Sequence, residues 1–292
     1  PCSGCFFLRK FAFLNLSFMV NYNGSLLERE SCNLSLDNRG FHYGDSLFET
    51  LRVKGERICF LEDHYFRLMA SMRMLRMQIP MDFTLEYFEL QLRSLLDVLS
   101  EQEITKLKCS VFRKDGGLYT PTSNEVEFLI QGFSSHHSTK ENYVVDVYKD
   151  HFVNSGFLST LKSSNRLLNV LSSIFAKEND LDNCVLLNEQ KNIVEFSNAN
   201  LFLVQGNHIR TPQLSDGCIK GISRKKVIEI LETHAEYTFE ETSISSFDLQ
   251  KADELFLTNA IIGVQSVTHY RKKKYATEIG ATLSKAFDLL EV

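Results

Sequence analysis

The sequence predicts a two-domain α/β protein with mixed sheets. Amphipathic helical patterns alternate with short strand-like runs in both halves of the chain. A polar segment without periodicity, 133–142, separates the halves and reads as a linker. The 292 residues suffice for two ordinary domains. A small N-terminal α/β domain is expected over 19–132 and a larger C-terminal α/β domain over 143–292.

Val20-Asn21-Tyr22 and Ser25-Leu26-Leu27-Glu28 flank Asn23-Gly24, a dipeptide suited to a tight hairpin turn. The turn-rich stretch Asp37 to Asp45 follows. Leu47 to Val53 then alternates with period two, and Lys54-Gly55 turns it into a strand over Arg57-Ile58-Cys59-Phe60. Glu62-Asp63-His64 starts a helix expected to run to about Ile79, with Tyr65, Leu68, Met72, Leu75 and Ile79 on its apolar face and Pro80 ending it. Its methionines read as packing residues, and Arg67 lies close enough to reach inward past Leu68. Leu85 to Leu99 forms a second amphipathic helix. Strands follow at Thr105–Phe112 and Glu125–Gln131. After the linker come a strand over Val144–Tyr148 and a helix over Ser164–Lys177. Four short strands are expected at Cys184–Leu187, Ile193–Phe196, Leu201–Val204 and His208–Thr211. A helix over Ser223–Leu231, strands at Glu254–Thr258 and Gly263–Thr268, and a helix over Ile279–Leu290 complete the chain.

A composition of 43% hydrophobic and 24% charged residues is that of a globular protein with a sizeable core. Four prolines and no low-complexity tract argue against long disordered regions. A net charge of −5, with Lys and Arg scattered, points to neither a nucleic-acid nor a membrane-surface partner. Seven cysteines without framework spacing read as reduced thiols in a cytoplasmic protein. Cys2-x-x-Cys5 lacks the second pair that a zinc site needs, and His136-His137 has no fixed neighbour, so no metal site is expected. Arg9, Lys10 and Asn15 interrupt the only candidate membrane span. The apolar stretch Pro1–Phe18 does not have the order of a signal peptide. Met19 is expected to be the natural start, with 1–18 an extension outside the fold.

Three features carry chemistry. Lys162 stands at the head of an apolar helical pattern, with Val153, Phe157, Leu158 and Leu161 before it as an apolar wall. A lysine acts as a nucleophile only when neutral, which desolvation promotes. Its place conflicts with the helix dipole, which favours acid there. Taken alone it reads as a surface lysine at a helix start. Glu195 sits in a strand-like run, where a covered carboxylate requires a partner such as a protonated ring nitrogen; an edge-strand glutamate is the plainer alternative. Gly221-Ile222-Ser223-Arg224 is a helix start with free N–H groups and a hydroxyl, suited to a phosphate, with Ser223 also readable as a simple N-cap. Thr258-Asn259 at a strand end and Arg67 could complete an anion site.

At these residues the chain resembles the class IV aminotransferases, the fold-type IV pyridoxal phosphate enzymes. The matching stretches are Arg39-Gly40-Phe41-His42-Tyr43-Gly44-Asp45-Ser46-Leu47-Phe48-Glu49-Thr50, His64 to Leu68, Leu161-Lys162-Ser163-Ser164-Asn165-Arg166-Leu167, Val194 to Phe202, and Thr211-Pro212 through Gly221-Ile222-Ser223-Arg224. They occur in the family's order. The resemblance implies a two-domain fold binding pyridoxal 5'-phosphate between the domains, and a homodimer. It makes Lys162 the Schiff-base lysine and proton carrier, and Glu195 the partner of the pyridine nitrogen. Arg67, Ile222, Ser223 and Thr258 become the phosphate cup, with Asn259 a further member, and Ile219 packs on the ring. Ser223 replaces the family's usual threonine and keeps the hydroxyl. Phe41, Tyr43 and Arg113 fall where substrate-side residues would be.

The family includes branched-chain aminotransferases, D-amino acid aminotransferases and 4-amino-4-deoxychorismate lyases. Lys162-Ser163-Ser164-Asn165-Arg166-Leu167 is similar to the lyase Lys-x-x-Asn-Arg-Leu pattern. Leu47-Phe48-Glu49-Thr50 also resembles lyase sequences more than the branched-chain Phe-Glu-Gly. The expected reaction is therefore release of pyruvate from aminodeoxychorismate, giving the folate precursor 4-aminobenzoate. The alternatives are amino-acid transamination with 2-oxoglutarate and a catalytically silent homologue serving as a binding protein. The lysine and glutamate together argue against the latter.

Overall fold

A computed structural model describes residues 15–99, 104–134 and 139–291. Strands β1 (Asn15–Tyr22) and β2 (Ser25–Glu28) form the expected hairpin. Asn23 and Gly24 both take positive φ, 50° and 84°, as a turn matched to strand twist requires. The helical turn α1 (Arg39–Tyr43) leads into β3 (Ser46–Lys54) and β4 (Arg57–Ile58). Helices α2 (Leu61–Met74) and α3 (Leu85–Val98) precede β5 (Lys106–Arg113) and β6 (Val126–Ser134). The strands assemble in the order β2-β1-β6-β5-β3-β4, every neighbouring pair antiparallel.

Period two divides this sheet cleanly. Leu47, Leu51, Leu107, Cys109 and Val111 face Leu68 and Met72 of α2 and Phe88, Leu92 and Leu95 of α3 in one core. Each such buried leucine contributes about 2 kcal/mol of transfer free energy. Phe48, Thr50 and Lys106 belong to the other face and line a cavity.

The second half holds β7 (Val144–Val147), α4 (Leu167–Glu178), β8 (Asn183–Leu187), β9 (Asn192–Phe196), β10 (Asn200–Gln205) and β11 (His208–Pro212). Then follow α5 (Ile222–Thr233), β12 (Thr238–Thr242), β13 (Ile244–Ser245), α6 (Asp248–Lys251), β14 (Glu254–Asn259) and β15 (Gly263–Val267). The hairpin β16 (His269–Tyr270) and β17 (Lys273–Lys274) precedes α7 (Glu278–Leu290). Two sheets result, ordered β12-β11-β10-β14-β15 and β13-β9-β8-β7-β16-β17, each mixing parallel and antiparallel pairs.

Strands β10 and β14 are apolar on both faces because both faces are covered. Leu201, Leu203, Leu255 and Leu257 enter a core with Val145, Ile193 and Phe196. Phe202 and Phe256, stacked with centroids 4.9 Å apart, point the other way onto Val227, Leu231, Leu283 and Phe287 of α5 and α7.

Several expected boundaries move. Helix α2 ends at Met74 rather than about Ile79: Arg76 turns left-handed, φ 55°, and the Met77 N–H donates to the Met72 carbonyl at 2.9 Å. That is a Schellman-type stop, closed before Pro80 is reached. The strand expected to reach Phe60 is only Arg57–Ile58, since Phe60 has φ 52°. Strand β1 begins at Asn15, so Asn15–Phe18, expected outside the fold, belong to the first strand. Likewise β6 runs to Ser134, into the segment read as linker. Cys2, Cys5, His136 and His137 lie outside the described residues. Among the described residues no helix is long and apolar enough to cross a membrane.

Candidate active site

Lys162 is not on a helix. Helix α4 starts at Leu167, and Lys162 lies in an extended stretch laid along β3. The Phe48 N–H donates to the Lys162 carbonyl at 2.9 Å, and the Ser164 N–H to the Ser46 carbonyl at 3.0 Å. Leu161, beside it, is buried in the N-terminal core. The dipole conflict read from the sequence therefore does not arise. The lysine is held instead by backbone pairing with the other half of the chain.

Its amine enters a cavity of about 400 Å³ and sits 4.4 Å from the centroid of the Phe48 ring. Burial, with the nearby Arg67 and Arg166 guanidiniums, outweighs Glu49 and Glu195 and lowers the ammonium from 10.5 to about 8. A usable fraction of neutral amine then exists near neutral pH, as a nucleophilic lysine needs.

Glu195 reaches the same cavity from β9, which lies between β13 and β8 and is no edge strand. Its Oε2 accepts from the Ile219 N–H at 3.0 Å and from the Asn200 amide at 3.3 Å. Burial raises the carboxyl from 4.5 to about 7, against the pull of the Ile219 N–H, Arg166 and Lys162. A carboxyl so poorly compensated suits a cationic ligand group.

The third wall is the start of α5. Gly221 is its N-cap, so Ser223 is not the cap but lies within the first turn. Glycine is required by close approach: a Cβ at 221 would lie 1.9 Å from Asn200 Oδ1. Ser223 Oγ and Thr258 Oγ1 are both buried and without a hydrogen-bond partner. Two orphaned hydroxyls beside a helix N-terminus in one cavity await an acceptor-rich anion.

Arg67 faces them from α2, its Nη1 donating to the Lys220 carbonyl at 2.9 Å. Its Nε donates to Glu49 Oε1 at 2.8 Å, and its Nη2 to Oε2. Buried His64 holds Oε2 through Nδ1 at 2.7 Å. Burial alone would raise Glu49, but Arg67 and His64 win and hold it at about 2. The guanidinium is thereby fixed on the cavity wall.

Lys162, Glu195, Arg67, Ile219, Ile222, Ser223, Thr258 and Asn259 thus converge on one cavity. Asn259 accepts from the Ile261 and Ile262 N–H groups of its own loop at 3.0 and 2.9 Å, and its amide donates to the Asn198 carbonyl at 3.4 Å. Phe41, Tyr43 and Arg113 do not reach it. Tyr43 and Arg113 line a second cavity of about 420 Å³, and Phe41 is 81% exposed and lines neither. Arg113 is spent on Asp45, Asn124 and the Leu75 and Arg76 carbonyls. Sequence reasoning missed Phe48, Thr50, Lys106, Arg166 and Asn200 as lining residues. It also missed Glu49 and His64 behind Arg67. A glutamate alternating with Leu47 and Leu51 on the core face was the available signal for the latter.

Residues 46–270 match the family described as Amino-transferase class IV. The chain is 26% identical over 255 residues to a D-alanine aminotransferase of Bacillus licheniformis, covering 85% of this chain and 87% of that one. It is 26% identical over 246 residues to an aminodeoxychorismate lyase of Vibrio harveyi, covering 81% and 87%. Its fold superposes with a TM-score of 0.82 on a branched-chain aminotransferase of Thermoproteus uzoniensis, at 20% identity and 93% coverage of each chain.

Proposed function

The chain belongs to the class IV aminotransferase family, enzymes that are pyridoxal phosphate-dependent aminotransferases and lyases, and we propose that it binds pyridoxal 5'-phosphate in the Lys162 cavity and acts as a 4-amino-4-deoxychorismate lyase. The observation that carries the cofactor assignment is the pair of orphaned hydroxyls, Ser223 Oγ and Thr258 Oγ1, in one cavity with Arg67, Lys162 and Glu195. These residues fit the group. Arg67, the Ile222 and Ser223 end of α5 and the two hydroxyls would hold the phosphate. Glu195 would hold a protonated ring nitrogen, and that partner restores its ionised form. When bound, the cofactor supplies an electrophilic carbon for amines and an electron-withdrawing ring.

The chain's own groups do the rest. Lys162, partly neutral at physiological pH, would hold the cofactor through Nζ and, once its amine is free again, would move protons at the carbon bearing the substrate amine. Ile219, Ile261 and Ile262 line the cavity with apolar surface that limits water. Thr50 adds a hydroxyl to the cavity where the branched-chain Phe-Glu-Gly pattern has no side chain, which supports the lyase reading. Pyruvate would leave and 4-aminobenzoate would remain. Amino transfer from D-alanine or a branched-chain amino acid to 2-oxoglutarate is the second reading, favoured by the similarity to D-alanine aminotransferase.

Exposed Tyr119 and Leu158, beside Tyr43 around the second cavity, support a homodimer in which a second copy covers them. The free thiols of Cys59, Cys109, Cys184 and Cys218 support a cytoplasmic setting. Borohydride treatment of the cofactor-loaded protein should trap an adduct on Lys162, absent in Lys162→Ala. Pyruvate release from aminodeoxychorismate is then measured beside 2-oxoglutarate-dependent transfer from leucine and D-alanine. Turnover of the amino acids alone would refute the lyase reading; an unmodified Lys162 would refute the site.

A further inference from the structure

The phosphate wall is assembled from both halves of the chain, and one carboxylate outside the cavity joins them. Arg67 comes from α2, whereas Ser223 and Thr258 come from α5 and β14. Asp63 stands one turn before Arg67 on the same face of α2. Its Oδ1 accepts from Lys225 Nζ, and its Oδ2 lies 2.9 Å from Lys226 Nζ. With the Arg67 bond to the Lys220 carbonyl, these contacts run from the first two turns of α2 to the start of α5. The Asp63 and Lys226 side chains are largely covered, 18% and 17% exposed. Burial would raise the Asp63 carboxyl, but the two ammoniums hold it below its usual range. Asp63, Lys225 and Lys226 do not line the cavity.

The two lysines stand where a helix by itself disfavours them. Arg224, Lys225 and Lys226 follow one another near the positive end of the α5 dipole, and no acidic residue stands in its first turn. Arg224 is balanced by Glu241 of β12. Lys226 has Glu229 one turn on at 3.0 Å, and the remaining countercharge, Asp63, is drawn from the other half of the chain. For stability alone a part-exposed pair contributes at most about 1 kcal/mol. Across a cleft the same pair fixes a spacing. A phosphate must meet Arg67 and the two hydroxyls together, so whatever holds α2 against α5 beforehand lowers the ordering cost of binding.

We propose that Asp63 is a positioning residue for the cofactor phosphate: through Lys225 and Lys226 it holds the α2 wall at binding distance from the α5 wall without touching the ligand. This rests on the cofactor reading above. Charge alone predicts the opposite sign. Asp63 is an anion near an anion site, and its neutralisation would free two ammoniums, so a purely electrostatic influence would tighten phosphate binding. Loss of positioning weakens it.

The test is equilibrium titration of the cofactor-free protein with pyridoxal 5'-phosphate and with pyridoxal, which lacks the phosphate. Asp63→Asn should weaken the phosphate ester about tenfold, a coupling of ordinary size between separate sites, and leave pyridoxal unchanged. Asp63→Glu should keep most of the affinity. The difference between Asp63→Asn and the parent should shrink in about 1 M salt, where the screening length is about 3 Å. The unaltered protein gives a second readout. Because coupling is reciprocal, saturating pyridoxal 5'-phosphate should slow acetylation of Lys225 and Lys226 by acetic anhydride by about the same factor relative to pyridoxal, as read by mass spectrometry. Unchanged or tighter phosphate-ester binding in Asp63→Asn would overturn the inference. So would equal weakening of both ligands, or equal labelling of the lysines with either one. Borohydride trapping at Lys162 separates the two levels: an adduct without these phosphate-selective effects removes this inference alone, and no adduct removes the cofactor reading with it.

Discussion

Replacing Glu195 by glutamine should stabilise the cofactor-free chain while damaging its chemistry. The carboxyl is 6% exposed, accepts only two hydrogen bonds, and is raised from 4.5 to about 7. The folded state therefore keeps a proton that the unfolded chain releases. Stability present below pH 4.5 is lost as pH rises through 7, and stays lost above it. The difference of pKa converts to about 3 kcal/mol at the order-of-magnitude level. A glutamine at this position cannot ionise, yet its amide oxygen can still accept from the Ile219 N–H. In urea denaturation of the cofactor-free protein, Glu195→Gln should match the parent at pH 4.5 and exceed it by up to about 3 kcal/mol at pH 8. Turnover should fall, because a neutral amide no longer favours a protonated ring nitrogen. A variant less stable than the parent at pH 8, or offset equally at both pH values, would refute the burial argument.

Two further substitutions probe the opposite walls. Ser223→Ala and Thr258→Ala remove hydroxyls with no partner, so each should leave the cofactor-free chain unchanged or slightly more stable. Each should weaken pyridoxal phosphate binding about tenfold in an equilibrium fluorescence titration. Glu49→Gln removes the clamp on Arg67. Because Glu49 is held at about 2, its stabilisation exists above pH 4.5 and is lost as pH falls towards 2. The variant should lose about 3 kcal/mol at pH 7 in urea denaturation and lack that acid-limb slope.

Elements whose stability is local were legible. The apolar spacing of Phe88, Leu92 and Leu95 placed α3, and Thr84 caps it through the Tyr87 N–H. The continuous apolar run Leu201 to Val204 placed β10, because a strand covered on both faces needs no alternation. Ends decided by tertiary hydrogen bonds were not legible. Helix α2 stops at a left-handed Arg76, a choice that its apolar spacing out to Ile79 does not betray. Of the site, Lys162, Glu195 and the α5 start could be named from motif order. Phe41, Tyr43 and Arg113 were drawn to it by the same motif, and the fold sends them elsewhere.

By itself the sequence determined which chemistry was on offer: a lysine, a strand glutamate, a glycine-led helix start and an arginine, in the order of one enzyme family. It could do so because those signals are residue types at short spacing. Only the tertiary structure decided their protonation and their company. Lys162 is lowered because burial strips its ammonium of water and Arg67 and Arg166 crowd it, and Glu195 is raised because burial outweighs the Ile219 N–H. Ser223 and Thr258 are left without partners, whereas Glu49 is given two. On one sheet face Glu291 neutralises Arg52, while Lys106 and Lys108 lie over the rings of Phe133 and Phe48. Desolvation and pairing depend on distances between groups far apart in the chain, and those distances exist only after folding.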